Sequence, residues 1–276
     1  MVDTVNDFIR FVQPIEGQRI ADLEWGTANA KQIIINGIFD FSNSTSFANQ
    51  TFCLAVQNAA LTRTYVANIY TAIGVSSIND LPFTIVIPGC TDGVWPTDNS
   101  LGMNVMITGW CGTKWRTAPN VWAAGDYKGS TTMSSELPSS IGGTWSIRNM
   151  GMYSDPEKTG VAPVFVPPKY EDALRESQRY WFKGTSQRGY TSSTTVHSHC
   201  MALNPYPMRI INPSVAFVGT INCYDATTTV AASAVSANRS SMNYFYNAFT
   251  TAAVVAARPG GHILGGTGYV AVSARM

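Results

Sequence analysis

The chain has 276 residues, a formal net charge of +1 and 13% charged residues. An ordinary globular domain has about 25% charged residues, so uncharged Ser, Thr and Asn cover much of this surface instead. The absence of a Lys and Arg cluster excludes a nucleic-acid-binding surface, because phosphate recognition needs clustered cations. No secretory signal and no apolar run of about 18–20 residues is present, so we expect synthesis in a cytoplasm and no membrane insertion.

Strand signals dominate residues 1–166. Short runs of apolar and β-branched residues, several of them alternating with period two, are separated by Gly, Pro, Asn and Asp turns. No helical period competes with this pattern, which predicts an all-β fold beginning with an antiparallel β-sandwich. The predicted strands are 33–41, 51–58, 63–70, 83–88, 101–110 and 144–153.

The same alternation predicts which side chains lie inside the sandwich. Burial of one large apolar side chain contributes roughly 1.5–3 kcal/mol to stability. The predicted core residues are Trp25, Ile35, Phe39, Phe52, Leu54, Ile69, Ile85, Ile87, Val105, Ile107, Trp145 and Ile147.

One short helix is predicted near residues 169–182. Two prolines precede it and two acidic residues follow in its first turn, where the helix dipole favours negative charge. Lys183 and Gly184 are typical C-terminal signals. The segment 167–184 is therefore interpreted as a linker helix between two domains.

After the helix the composition changes to Ala, Ser, Thr and Val, which predicts a second, smaller β-domain over residues 185–276. A glycine-rich stretch near Gly260 is interpreted as a hairpin, because no Lys-Ser or Lys-Thr follows it. The predicted strands of this domain are 194–201, 214–224, 242–250, 253–258 and 268–274.

Four ordered blocks of the sequence carry a resemblance to a known family. They are Ile15-Glu16-Gly17 with Trp25 to Lys31, Trp122 to Gly125, Gln178 to Trp181, and Pro207-Met208-Arg209. In this order they resemble a carbohydrate-binding-like jelly-roll domain of bacteriophage and prophage tail fibres and other virion appendages. The resemblance implies a virion protein, made in the host cytoplasm, that displays or binds something and is not an enzyme.

The chain departs from the family pattern at several points. Two of these are Ser177, where the family often has Cys, and the near absence of the strands that usually precede Gln13; Trp181 stands where Tyr is common, and one family strand is present only as the altered segment 147–153. An unpaired sheet edge is a liability that a partner strand can cover. We therefore expect a neighbouring subunit to complete the sheet, in a homo-oligomer for which a trimer is favoured.

The titratable residues do not form a catalytic pattern. The chain has three histidines and lacks a Gly-x-Ser-x-Gly elbow, so we predict no catalytic residue and no cofactor. His197 and His199 share one strand face and are weak metal candidates, interpreted as ordinary exposed polar residues. The five cysteines show no CxxC spacing and are interpreted as buried thiols, with a Cys200–Cys223 bridge left open.

A group of tryptophans in a turn-rich segment predicts a glycan site. Indole faces stack on sugar C–H surfaces, and nearby charged side chains hydrogen-bond hydroxyl groups. An alternative is that Trp122 caps the core and Trp95 fills a turn, which leaves Trp115 as the most exposed of the three. The predicted glycan-binding residues are Trp95, Trp115, Trp122, Asp92, Asp98, Lys114 and Arg116.

Three functions are compatible with this sequence. The leading hypothesis is a non-enzymatic fibre or spike subunit that attaches the virion to a host-surface polysaccharide, with several weak sites raising avidity by about 10²–10⁴. The first alternative is a structural connector or decoration protein that binds only other virion proteins. The second is a capsule depolymerase, which the scarcity of histidine and of paired carboxylates disfavours.

Overall fold

A computed structural model describes residues 5–42, 50–72, 74–133 and 144–179, followed by strands between residues 181 and 273. The chain divides into two compact units, Met1–Pro167 and Pro168–Met276. Each unit is described by itself below.

The described residues of the first unit form ten strands. They are β1 Phe8–Glu16, β2 Ile33–Ser42, β3 Gln50–Asn58, β4 Arg63–Ala72, β5 Ser77–Ile87, β6 Leu101–Cys111, β7 Arg116–Thr117, β8 Trp122–Ala124, β9 Gly129–Ser130 and β10 Thr144–Ser154. A five-stranded antiparallel sheet has the order β1-β6-β3-β4-β8, and a three-stranded antiparallel sheet has the order β10-β2-β5. The predicted antiparallel sandwich is confirmed.

The chain crosses repeatedly between the two sheets. Strands β3 and β4 pair as neighbours in sequence, whereas the chain changes sheet after β1, after β2, after β4 and after β5. These crossings bring residues that are distant in sequence to the same interior, as in sandwiches with long connections between strands.

The interior between the sheets matches the predicted core. Nine of the twelve predicted core residues are buried, and Ile69, Trp145 and Ile147 are partly buried against them. The prediction succeeds because alternate residues of a strand point to opposite faces, so a period-two apolar pattern marks the inner face.

The outer face of the five-stranded sheet is also covered. Trp115, Tyr127 and Met133, from the segments on either side of β8, pack on it and form a second buried cluster with strands β3, β4 and β6. Strand β3 is consequently buried along its whole length. The cluster contains Cys53, Ala55, Val66, Met106, Cys111 and Met133, and its two cysteines, like Cys90, are buried free thiols.

Strand β1 lies at the edge of the five-stranded sheet and was not among the predicted strands. It pairs antiparallel with β6, with Phe11 opposite Ile107 and Gln13 opposite Val105. Pro14 suits this position, since an edge strand tolerates a residue without an N–H donor. Because β1 is the last strand of its sheet, Ile9 and Phe11 lie at the sheet edge and remain exposed.

A tight loop follows β10. The buried carboxylate of Asp155 accepts hydrogen bonds from the Gly160 and Thr159 backbone N–H groups, the Thr159 hydroxyl and the Gln32 amide. Burial opposes ionisation of this group, but these donors outweigh it and lower the pKa of Asp155 to about 2.

The second unit begins with helix α1, Tyr170–Gln178, so the predicted helix is confirmed with a shorter C-terminal end. Trp181 opens the next strand and is not on the helix. The strands are β11 Trp181–Gly184, β12 Gln187–Ser193, β13 Val196–Cys200, β14 Ser214–Val218, β15 Ile221–Asp225, β16 Thr229–Ser240, β17 Phe245–Thr251, β18 Pro259–Leu264 and β19 Tyr269–Ser273.

These strands form a three-stranded sheet, β11-β19-β14, and a closed barrel, β12-β13-β17-β16-β15-β18. The single strand predicted over 214–224 is two strands, and β11, β12, β16 and β18 were not predicted. Strand β18 occupies the glycine-rich stretch that was interpreted as a hairpin. The predicted strand 253–258 and the Pro207–Arg209 block lie outside the described residues. Within the described part of the chain, no helix is long and apolar enough to cross a membrane.

Candidate functional site

The structure divides the predicted glycan-binding residues between two places. Trp95 and Trp122 belong to the main core between the two sheets. Trp115 instead packs against the second cluster, on the outer face of the five-stranded sheet. The structure therefore does not bring the three tryptophans together in one place.

Trp95 is a core residue. Its side chain is 7% exposed, and its ring meets those of Trp25 and Trp122 edge-on, with centroids 4.7 and 5.8 Å away. Its indole N–H donates to the Asp92 carbonyl at 3.1 Å. A buried indole offers no face to a sugar. Trp95 lies in the core, and its hydrogen bond to Asp92 also ties it to the adjacent turn.

Trp122 caps the same end of the core. It is half-buried, packs 5.4 Å from both Trp25 and Tyr65, and donates its indole N–H to the Pro88 carbonyl at 2.9 Å. Its packing and its hydrogen bond are those of a structural residue.

The side chains of Asp92 and Asp98 are exposed, and each stabilises the turn in which it lies. The Asp92 carboxylate accepts two hydrogen bonds from the Arg63 guanidinium, which hold the pKa of Asp92 below its ordinary value. Asp98 accepts the Ser100 backbone N–H at 2.9 Å. Both carboxylates order loops near Trp95.

Arg116 fastens the segment that covers the sheet. Its Nε and Nη2 donate to the Cys111 carbonyl at 2.9 and 2.6 Å, and its Nη1 donates to the Met133 carbonyl at 2.6 Å. This predicted ligand-binding residue therefore has a structural role.

Trp115 is half-buried at the edge of the covering segment. Its indole N–H donates to the Asn6 carbonyl at 2.5 Å, and Phe8 meets its ring edge-on at 5.6 Å. The Nζ atoms of Lys114 and Lys128 lie 4.6 and 3.6 Å from the ring centroid. Ammonium groups at these distances from an indole attract its π-system.

Trp115 and four side chains near it form what we call the outer-face cluster. They come from the start of β1 and from the segment that covers the sheet, and pairing of β1 with β6 brings the two together. The outer-face cluster comprises Phe8, Arg10, Trp115, Asp126 and Lys128.

Lys128 is the buried centre of the cluster. Its side chain is 3% exposed, and its Nζ lies 2.7 Å from Asp126 Oδ1 and 5.0 Å from the Phe8 ring centroid. Burial lowers the pKa of Lys128, against the effect of Asp126. A buried ammonium needs such a partner, because desolvation of an unpaired charge costs several kcal/mol.

Asp126 is the carboxylate of the cluster, and its side chain is 30% exposed. Its Oδ1 also accepts the Gln57 amide at 2.8 Å. Burial acts against ionisation, but the hydrogen bonds from Lys128 and Gln57 lower the pKa of Asp126 overall. The carboxylate is thus ionised and partly accessible at neutral pH.

Arg10 lies half-buried beside the cluster's aromatic rings. Its guanidinium carbon sits 4.7 Å from the Phe8 ring centroid, and its Nη1 donates to Met106 Sδ at 2.6 Å. Burial lowers the pKa of Arg10, while Asp126 opposes that shift.

Sequence reasoning included Trp115 and the adjacent Lys114 but missed the other four members. The sequence did offer one signal for Asp126 and Lys128, because both lie within three residues after the Trp122–Gly125 block. Phe8 and Arg10 could not be assigned, since their place depends on the pairing of β1 with a strand about 100 residues away.

The outer-face cluster offers aromatic and charged groups to a ligand. Among the described residues, its side chains are not arranged to hold a metal ion. No group of three or more His, Cys, Asp or Glu side chains suited to a metal ion occurs among the described residues. His197 and His199 lie on β13, opposite Thr191 and Gly189 of β12. Their side chains are outside the described part of the chain.

Comparisons with known proteins give little similarity. No protein-family model matches the sequence, and no curated protein matches it either. Among solved structures, discoidin II of Dictyostelium discoideum is similar over 90% of this chain and 75% of its own, with 10% identity and a TM-score of 0.18. So distant a likeness assigns neither a family nor a function.

Proposed function

We propose that this chain is a non-enzymatic subunit of a phage appendage that binds a host-surface glycan through the outer-face cluster. The observation that carries the proposal is the juxtaposition of accessible aromatic rings with charged hydrogen-bonding groups. Phe8 is exposed beside half-buried Trp115, and Arg10 and Asp126 flank them.

The chemistry of this cluster suits a sugar. A pyranose ring presents apolar C–H faces, which pack on aromatic side chains, and hydroxyl groups, which bond to carboxylate and guanidinium groups. The groups are pre-organised, because Lys128 is fixed between Asp126 and Trp115. Pre-organisation reduces the entropy lost when a ligand binds. The resemblance to phage appendages supplies the biological setting.

The proposal is tested by applying the full-length protein to an array of bacterial surface polysaccharides. Phe8→Ala and Trp115→Ala should each weaken binding about 10-fold, equivalent to about 1.4 kcal/mol. Tyr170→Ala, which removes an exposed aromatic residue outside this unit, is the matched control. Absence of binding to every polysaccharide, or equal binding by the parent and both cluster variants, would refute the proposal.

The proposal that the chain is not an enzyme has its own measurement. Incubation of a bound polysaccharide with the protein should release no reducing sugar and leave the polymer length unchanged. Release of oligosaccharides would identify a depolymerase instead.

A connector that binds only virion proteins is the second candidate, and the apolar edge of β1 favours it. Ile9, Phe11 and Val12 are exposed on this edge strand, and an extended strand of a second copy would cover them. On this basis we also propose a homo-oligomer, with a trimer favoured.

Light scattering of the parent and of Ile9→Asp tests this assembly. An oligomer that becomes a monomer in the variant supports association through β1. An oligomer without any glycan binding would favour the connector over the attachment protein. A parent that is monomeric at all concentrations would contradict the assembly.

A further inference from the structure

We infer that the outer-face cluster selects an acidic glycan, and that Arg10 is the residue that binds its oxyanion. This inference rests on the proposed glycan-binding function and specifies the ligand class. The oxyanion is a carboxylate or a phosphate attached to a sugar, since a guanidinium recognises both by the same pair of parallel hydrogen bonds.

Arg10 differs from other arginines of the sandwich in its partners. Arg63 is paired with Asp92, and Arg148 lies between Asp40 and Asp80. Arg116 donates to two backbone carbonyls. Arg10 has no carboxylate within ion-pair distance among the described residues.

The hydrogen bonds of Arg10 lead to the same conclusion. A guanidinium has five N–H donors, and the described acceptor for Arg10 is a single thioether sulfur, that of Met106. A thioether is a weak acceptor. The nearest carboxylate with an electrostatic effect, Asp126, is already bonded to Lys128 and Gln57. Arg10 thus retains the donors that a ligand oxyanion would need.

The local charge balance also favours an anion. Arg10 and Lys128 of the cluster are joined by neighbouring Lys114 and Arg116, giving four cationic side chains. Among the described residues, the carboxylates close to this cluster are Asp7, whose backbone carbonyl accepts the Gly112 N–H, and Asp126. The chain as a whole has a net charge of only +1, so this surface concentrates positive charge.

The geometry distinguishes a sugar acid from a general polyanion. The Arg10 guanidinium lies over the Phe8 ring, and the Phe8 ring meets that of Trp115. A ligand that places an oxyanion on Arg10 therefore lies close to the Phe8 side chain, which is 38% exposed. An apolar sugar face gains from this contact, whereas a flexible polyanion without rings does not.

The experiment uses the full-length protein and the acidic polysaccharide that binds most tightly on the array. Affinity is measured for the native polymer, for the same polymer after chemical reduction of its carboxylates, and for the polymer after removal of its phosphates. Poly-glutamate of similar charge serves as the polyanion without sugar rings. The variants are Arg10→Gln, Arg10→Lys and the matched control Arg148→Gln, each checked for its melting temperature.

The expected result is that removal of the oxyanion weakens binding about 10- to 100-fold, as does Arg10→Gln. Arg10→Lys keeps the positive charge but loses the planar guanidinium that donates two parallel hydrogen bonds, so this variant should bind with intermediate affinity. Arg148→Gln should bind like the parent, and poly-glutamate should bind at least 10-fold more weakly than the glycan.

Each contrary outcome has a distinct meaning. If the reduced or dephosphorylated glycans bind as well as the native one, or Arg10→Gln retains the preference, the inference is overturned while the glycan-binding function stands. Equal binding of poly-glutamate overturns it in favour of a nonspecific cationic surface. If no glycan binds at all, the proposed function fails and the inference falls with it.

Discussion

Replacement of Trp95 by alanine should destabilise the sandwich strongly and leave the outer-face cluster intact. Trp95 is buried against Trp25 and Trp122 and donates a hydrogen bond to the Asp92 carbonyl. The variant therefore creates a cavity in the core and removes two edge-to-face ring contacts.

The magnitude follows from the burial. Truncation of a buried tryptophan to alanine costs about 3–5 kcal/mol, through lost transfer free energy and the residual cavity. Each aromatic pair contributes about 0.5–1.5 kcal/mol beyond its buried area. Since an ordinary domain is stable by about 5–15 kcal/mol, the loss should shift the unfolding midpoint far outside experimental error.

The assay is guanidinium unfolding of the full-length protein followed by far-ultraviolet circular dichroism. Val94→Ala is the matched control, because Val94 precedes Trp95 and its side chain is 71% exposed. The control should change the free energy of unfolding by less than about 0.5 kcal/mol. A Trp95→Ala variant that loses less than about 1 kcal/mol, yet no longer binds glycan, would show that Trp95 belongs to the binding site and that its assignment to the core is mistaken.

Two further predictions concern stability. Ionised Asp155 has a pKa of about 2 in the folded chain against about 3.9 in an unfolded one, so its contribution is present above about pH 4 and is lost as the pH falls toward 2. Asp155→Asn should therefore melt below the parent at pH 7, and the difference should shrink at pH 2.5; a constant difference across that range would contradict the assignment. Gly89→Ala should destabilise the sandwich by about 1–3 kcal/mol, because the new Cβ would lie 2.2 Å from the Ala30 carbonyl oxygen. A melting temperature equal to that of the parent would show that the backbone moves to accommodate the Cβ without loss of stability.

The strands and the core of the first unit could be predicted because their signal is local. A strand places alternate side chains on opposite faces, so the alternation around Ile35 and Val105 is visible without knowledge of the partner strand. Helix α1 was likewise predictable from the prolines and acidic residues at its start. Strand β16 was not, because its Ala, Ser and Thr residues carry no apolar period and its pairing with β15 and β17 defines it.

The identity of the individual site residues required the tertiary structure. The sequence by itself determined that this is an all-β chain with tryptophans in a turn-rich segment. Folding then buried Trp95 in the core, committed Arg116 to backbone carbonyls and placed Trp115 beside Phe8. These outcomes depend on contacts between distant segments: β1 pairs with β6, and the segments on either side of β8 pack on the sheet. No local pattern encodes which face of a loop tryptophan is covered, so only the folded chain decided which aromatic residues and which arginine remain available to a ligand.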